Sequence, residues 1–120
     1  MSLKINVRES GNVAILDLIG RITIGEEAAS LRETIKETLD GGHKNILLNL
    51  AEVSYMDSTG LGQFVGSFAT VTSRGGQLKL VNLQKKLQEL MQITKLITVF
   101  DSYETESAAL RSFAGAAAAG

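Results

Sequence analysis

The sequence predicts an α/β domain in which helices pack on a mixed β-sheet. It opens with two strand-like segments joined by a turn, then alternates helix-like and strand-like segments, with glycine pairs and no proline between them. With 120 residues the chain is long enough for one domain with one core. We expect the domain to span residues 1–113. The Ala/Gly tail, residues 114–120, lacks core-forming side chains and is expected to be disordered.

The first two segments predict a β-hairpin. Leu3, Ile5 and Val7 alternate with polar residues, which is the period of a half-buried strand. Turn-forming residues follow at 9–12, and the next segment, Val13–Ile19, is apolar except at one position. A nearly continuous apolar run predicts a strand that is buried on both faces. Two such strands around a short turn favour a hairpin.

A helix and a third strand follow the hairpin. In Glu26–Leu39, Leu31 and Ile35 belong to an apolar series that recurs every three or four residues, which predicts an amphipathic helix. Gly41-Gly42 is typical of a helix end. The apolar segment Ile46–Leu50 then predicts a short buried strand.

The rest of the chain repeats this alternation. The predicted elements are a helix from Ser58 to about Val71, a strand at Leu78–Val81, an amphipathic helix with Leu83, Leu87, Leu90 and Met91, a strand at Ile97–Phe100, and a helix at Ser102–Phe113.

Composition excludes several functional classes. The net charge is −1 and no run of like charge occurs, so we expect neither a nucleic-acid partner nor a membrane partner. The chain has no cysteine, which excludes disulfides and cysteine-ligated zinc. No stretch reaches the roughly 18 apolar residues of a membrane-spanning helix. We predict a cytoplasmic protein with no metal site and no cofactor.

The segment Val53–Gly62 carries the strongest functional signal, because three polar residues, Asp57-Ser58-Thr59, precede Gly60 and Gly62 where a helix begins. A helix N-cap alone requires one such residue. Each glycine costs the helix roughly 1 kcal/mol relative to alanine. We expect the two glycines to keep the surface around the hydroxyl groups low, so that another protein can approach.

This segment, placed after the Ile46–Leu50 strand, resembles the phosphorylation segment of STAS-domain anti-sigma factor antagonists. The likeness extends over nearly the whole chain and implies a STAS-like mixed sheet. It implies that Ser58 is phosphorylated by a serine-protein kinase that doubles as the anti-sigma factor. The unphosphorylated form would bind that kinase and free the sigma factor, and a PP2C-type phosphatase would reverse the modification. ATP and magnesium would belong to the kinase.

The resemblance also implies roles for neighbouring residues. Asp57 would cap the helix and orient the acceptor, with Thr59 assisting and Gly60 and Gly62 admitting the partner. Thr59 remains the alternative acceptor. The predicted partner-binding residues are Arg21, Ile22, Thr23, Asp57, Ser58 and Leu61. Members of the family usually carry an acidic residue at the position of Arg21, so this chain inverts a charge there.

Other functions find less support. A serine hydrolase needs a base near Ser58, but the single histidine, His43, precedes the third strand whereas Ser58 follows it. A receiver domain phosphorylated on Asp57 needs an acidic pair after the first strand, which is absent. We therefore do not expect an enzyme. The alternative that remains is a STAS scaffold or sensor component of a larger signalling assembly, controlled by phosphorylation.

Overall fold

Strands and helices alternate along the chain after an initial hairpin. The structure is a computed structural model that describes residues 3–23 and 25–119, with side chains described for all of these except 26–28 and 114–119. The strands are β1 (Leu3–Ser10), β2 (Val13–Ile22), β3 (Asn45–Met56), β4 (Gln77–Val81) and β5 (Asp101–Tyr103). The helices are α1 (Glu26–Asp40), α2 (Ser58–Ser73), α3 (Lys85–Ile93) and α4 (Glu106–Ala119).

The five strands form one mixed sheet in the order β1-β2-β3-β4-β5. β1 pairs antiparallel with β2, and the other neighbouring pairs are parallel. The hairpin turn places Gly11 at a φ of 59°, a conformation that glycine adopts without steric cost. The predicted α/β fold, with a hairpin followed by alternating helices and strands on a mixed sheet, is confirmed.

Alternating residues of the central strands build a core on each face of the sheet. On one face, residues such as Leu16 and Leu48 pack against α1, α2 and α3. On the other, Ile15 and Leu47 pack against Ala109 and other residues of α4. β2 is therefore buried on both faces, as its nearly continuous apolar sequence predicts.

β3 is longer than the predicted strand Ile46–Leu50. Its apolar run stops at Leu50, and the next two residues are exposed, so hydrophobicity alone ends the strand there. Pairing with β2 nevertheless continues to Ile22 opposite Met56, with register shifts between Asp17 and Ile19 and between Gly20 and Arg21. β3 therefore ends at Met56, directly before Asp57, the residue that precedes α2.

The predicted strand Ile97–Phe100 is wrong. A 3-10 turn, Leu96–Thr98, occupies the first half of this segment, and β5 begins only after it, at Asp101. The segment is apolar because it packs on the core. The ring of Phe100 lies edge-on to Phe64, with centroids 6.3 Å apart, and to Phe68, with centroids 5.3 Å apart.

The last helix begins four residues later than predicted, at Glu106 instead of Ser102. Ser102 is paired in β5 with Leu80, and Thr105 Oγ1 accepts a hydrogen bond from the amide of Ala108 at 3.1 Å, which marks the helix start. α4 runs through residues 114–119, and Gly120 lies outside the described residues. The expected disorder of the Ala/Gly tail stays a prediction.

The apolar side of α3 belongs to the core. Leu87 and Met91 are buried, and Leu83 and Leu90 are partly buried against the same cluster. These side chains therefore hold the helix on the sheet, and they do not form an exposed surface for self-assembly.

Candidate functional site

The candidate site lies where β3 passes into α2. Asp57 is the N-cap residue of the helix and has an extended backbone conformation. Its Oδ1 accepts a hydrogen bond from the amide of Gly60 at 2.8 Å, and its carbonyl oxygen accepts one from the amide of Leu61 at 3.0 Å. The first bond satisfies an amide that has no partner within the helix, and the second is the first bond of the helix itself, so Asp57 caps α2. Its predicted role in orienting the acceptor stays a prediction.

Ser58 is the first residue of α2, and it is exposed. Thr59, the alternative acceptor, is half-buried. Because a kinase must surround the hydroxyl group that it modifies, this difference in exposure favours Ser58. The assignment of Ser58 as the acceptor stays a prediction.

Gly60 and Gly62 occupy different environments, although the sequence predicts the same role for both. Gly60 is buried, and a β-carbon there would overlap the backbone carbonyl of Ile22. Its predicted role in admitting a partner is therefore wrong, because the space above it is filled by the end of β2. Gly62 is exposed, and a β-carbon there would meet no atom within 4 Å.

The end of β2 is bonded directly to the candidate site. The amide of Asp57 donates a hydrogen bond to the carbonyl of Ile22 at 3.3 Å. The sequence predicts partner contacts for Ile22 and Leu61, but both side chains are buried, with 0% and 6% exposed, so neither can form part of a contact surface. Thr23 is half-buried and follows Ile22 beyond the strand.

Arg21 and Tyr55 form an exposed pair beside this junction. They are register partners at the ends of β2 and β3. The guanidinium carbon of Arg21 lies 5.2 Å from the centre of the Tyr55 ring, and 51% of Tyr55 is exposed. Sequence reasoning identified Arg21 but missed Tyr55. The usable signal was a large aromatic residue directly after polar Ser54, beyond the apolar run that ends at Leu50.

A cleft of about 280 Å³ opens next to Tyr55, between the end of β3 and α3. It is lined by Val53, Ser54, Tyr55, Met56, Gln84, Lys86, Leu87 and Leu90. Ser58, the Arg21–Tyr55 pair and this partly apolar cleft therefore all lie at the end of the sheet where β2 and β3 stop.

The STAS domain family model matches residues 4–109. The anti-sigma-B factor antagonist of Bacillus subtilis is 39% identical over 101 residues, which cover 84% of this chain and 91% of that protein. The chain belongs to the STAS-domain family of anti-sigma factor antagonists. The Bacillus subtilis relative is named for a regulatory activity.

Solved structures support the same placement of this STAS domain. A crystal structure of a Thermotoga maritima protein assigned as an anti-sigma factor antagonist has a TM-score of 0.83 and 28% identity, covering 90% of this chain and 92% of that one. SpoIIAA, an anti-sigma factor antagonist and Bacillus cell fate determinant, has TM-scores of 0.72 unphosphorylated and 0.70 phosphorylated. The unphosphorylated structure is 19% identical to this chain and the match covers 93% of it; for the phosphorylated structure the values are 20% and 91%. In both cases the match covers 99% of the SpoIIAA chain. At that identity the likeness shows the fold alone.

A second polar cluster of the STAS domain lies on another part of the sheet. Asp17 Oδ2 accepts a hydrogen bond from Arg8 Nε at 2.6 Å, and Asp17 Oδ1 accepts one from Asn49 Nδ2 at 2.8 Å. Arg8 also bonds Glu106 at 2.8 Å, which ties β1 to α4. The hydrogen bond from Arg8 is the main cause that holds the pKa of Asp17 below its ordinary value; Asn49 acts in the same direction, and partial burial opposes both. Sequence reasoning missed this cluster, because its residues come from four separate elements.

His43 lies far from Ser58 in the STAS domain. It precedes β3, whereas Ser58 follows it, and a strand of twelve residues at about 3.3 Å per residue separates the two. Nε2 of His43 lies 3.1 Å from the carboxylate of Glu9. His43 is therefore not placed to act as a base for Ser58.

The described part of the chain shows neither a metal-binding cluster nor a membrane-spanning helix. Among the side chains that the structure describes, which leave out 26–28 and 114–119, no cluster of three or more histidine, aspartate or glutamate residues is arranged to hold a metal ion. Within the same part of the chain, no helix has both the length and the apolar character needed to span a bilayer.

Proposed function

We propose that this STAS domain is an anti-sigma factor antagonist that works by binding and catalyses no reaction itself. In its unphosphorylated form it binds an anti-sigma factor that is also a serine kinase, and so releases a sigma factor. Phosphorylation of Ser58 ends that binding. The observation that carries the proposal is the exposed hydroxyl group of Ser58 at the first residue of α2, in a chain that belongs to this family.

The fold can accept a phosphate at this position. The first turn of a helix presents backbone N–H groups and the positive end of the helix dipole, both of which favour an anion. SpoIIAA has the same fold in its unphosphorylated and phosphorylated forms, which match this chain with TM-scores of 0.72 and 0.70. Modification of Ser58 is therefore expected to leave the fold intact.

A phosphate at Ser58 acts on the contact with the partner. It adds a charge of about −1.5 to −2 beside Asp57. A misplaced like charge within an interface costs several kcal/mol. Since 1.4 kcal/mol corresponds to about tenfold in affinity, a loss of a hundredfold or more is expected. A PP2C-type phosphatase would restore binding, and the kinase would supply ATP and magnesium. We propose the cytoplasm as the site of this cycle.

The proposal is tested by affinity capture from the native cell extract, with the wild type and Ser58→Asp as matched baits. The wild type should recover a kinase that phosphorylates Ser58 in the presence of ATP, and Ser58→Asp should recover at least a hundredfold less of it. Ser107→Asp is the control, because Ser107 is exposed in the first turn of α4 and gains the same charge. It should bind like the wild type.

Two outcomes would contradict the proposal. Equal recovery of the kinase by the wild type and Ser58→Asp would exclude a switch at Ser58. Phosphate located by fragment mass spectrometry on Thr59 alone would move the acceptor by one residue. Light scattering of the same proteins checks the scaffold alternative, which predicts self-association that changes with Ser58→Asp.

A further inference from the structure

The Arg21–Tyr55 pair is an exposed combination of cation and aromatic ring that the fold itself does not require. Arg21 is exposed and Tyr55 is 51% exposed, while the guanidinium carbon lies 5.2 Å from the ring centre. Attraction between a cation and an aromatic ring is weak at a solvated site. Arginine and tyrosine are, however, the residue types that most often carry the affinity of protein interfaces.

The backbone of Arg21 lies close to that of Ser58. Arg21 precedes Ile22, whose carbonyl oxygen accepts the amide of Asp57 at 3.3 Å, and Ser58 follows Asp57 directly. The first turn of α2 also rests on Ile22, because Gly60 packs against the same carbonyl group. Arg21 and Ser58 are thus each one residue away from a directly bonded pair.

We propose that Arg21 is a counter-ion shared between two anions, an acidic side chain of the protein partner and the phosphate on Ser58. The proposal rests on the function proposed for Ser58. In the unmodified protein the exposed guanidinium group of Arg21 lies beside the Tyr55 ring, and a partner carboxylate accepts hydrogen bonds from it. A guanidinium group matches a carboxylate or a phosphate through two parallel hydrogen bonds.

Phosphorylation brings a competing anion within the same molecule. A charge-assisted, bidentate pair with a phosphate is stronger than contact with a solvated aromatic ring. Arg21 therefore leaves the ring of Tyr55 and pairs with the phosphate on Ser58. The partner then loses its counter-ion and at the same time meets a negative charge. The partner surface that fits this device carries an acidic side chain opposite Arg21, beside the cleft that Tyr55 lines.

The test uses the full chain with phosphoserine inserted at position 58 during translation, compared with the unmodified chain. On phosphorylation, the ring signals of Tyr55 and the Nε–H signal of Arg21 should shift in NMR spectra, and both shifts should follow titration of the phosphate near pH 6. By ³¹P NMR, Arg21→Gln should raise the pKa of the phosphoserine by about half a unit or more. Arg32→Gln is the control, because Arg32 is exposed on α1 and lines a groove with Arg74 at the other end of α2. It should leave that pKa unchanged.

An unchanged phosphoserine pKa in Arg21→Gln, or Tyr55 signals that ignore phosphorylation, would overturn the proposal. These readouts need no kinase, so they are distinct from the test of the proposed function. If no cellular kinase modifies Ser58, the proposed function fails while the NMR experiment still measures the pairing. With the kinase in hand, Arg21→Gln should weaken its binding to the unmodified chain about tenfold. Unchanged affinity would refute the contact with a partner carboxylate.

Discussion

The backbone carbonyl of Ile22 fills the space that a β-carbon on Gly60 would need, so the end of β2 and the first turn of α2 are in direct backbone contact. The amide of Gly60 also donates to Asp57, and the amide of Asp57 donates to Ile22. These contacts among Ile22, Asp57 and Gly60 fix the position at which α2 begins. They therefore also fix the backbone position of Ser58, the first residue of the helix.

Gly60→Ala should destabilise the domain, whereas Gly62→Ala should not. A methyl group on Gly60 has to displace backbone, and overpacking of this kind costs about 1–3 kcal/mol. A methyl group on Gly62 meets no neighbour, and alanine is favoured over glycine in a helix by up to about 1 kcal/mol. Urea unfolding of the three proteins measures both effects. Equal stability of the two variants would show that the contact with Ile22 is not a constraint.

Asp57→Ala and Asp57→Asn separate the cap from the charge. Loss of the hydrogen bond to the Gly60 amide in Asp57→Ala should cost about 0.5–2 kcal/mol, since no side-chain acceptor replaces it. Asparagine is as good an N-cap as aspartate, so Asp57→Asn should retain most of the stability. Thermal unfolding measures the difference. An equal loss in both variants would mean that the negative charge, and not the cap, stabilises the helix start.

Much of the fold was predictable because buried apolar residues recur in the sequence with the period of a helix or a strand. The hairpin, the α1 helix and the two-sided burial of β2 follow from where the apolar residues recur. The segment Ile97–Phe100 was wrongly predicted as a strand, because its apolar residues give the same sequence pattern as a short strand. They lie instead in a 3-10 turn and directly after it, where Phe100 packs on Phe64 and Phe68. Local hydrophobicity reports burial, and it does not report which backbone hydrogen bonds form.

The candidate site was predictable in part, for a related reason. The motif located the start of α2 and the cap at Asp57. It did not separate Gly60 from Gly62, because the constraint on Gly60 comes from Ile22, which is distant in sequence. Tyr55 and the Arg8–Asp17 cluster were missed because they depend on strand register. That register includes shifts that alternation of apolar residues does not encode.

Acid stability should depend on the pairing of Arg8 with Asp17. Arg8 is the main cause that keeps the pKa of Asp17 low in the folded chain, so this carboxylate stabilises the fold above its ordinary pKa of about 3.9. The contribution is lost as the pH falls through the lowered folded-state value. Arg8→Gln should therefore lose stability by about 1 kcal/mol or less at pH 7 and show a weaker decline of stability below about pH 4.

Urea unfolding between about pH 2 and pH 7 checks this expectation. Arg74→Gln is the matched control, because its ion pair with Asp40 is exposed, and exposed pairs contribute little. It should follow the wild-type pH dependence. An Arg8→Gln curve parallel to that of the wild type at all pH values would show that Arg8 does not lower the pKa of Asp17.

Ser67→Ala and Ser112→Ala make the same chemical change and should have opposite effects. The hydroxyl group of Ser67 is buried and has no hydrogen-bond partner among the described residues, so its removal should stabilise the domain by about 1 kcal/mol. The hydroxyl group of Ser112 accepts a hydrogen bond from the buried ammonium group of Lys79 at 2.9 Å. Its removal leaves that charge with contacts to the rings of Phe113 and Tyr103, and should cost about 1–3 kcal/mol.

The midpoints of thermal unfolding give the signs directly. A lower midpoint for Ser67→Ala would mean that its hydroxyl group has a hydrogen-bond partner in solution. A midpoint for Ser112→Ala equal to that of the wild type would mean that the aromatic rings alone satisfy the Lys79 charge. The two midpoints together test one rule. A buried polar group stabilises a fold only when it has a hydrogen-bond partner there, as Ser112 has and Ser67 has not among the described residues.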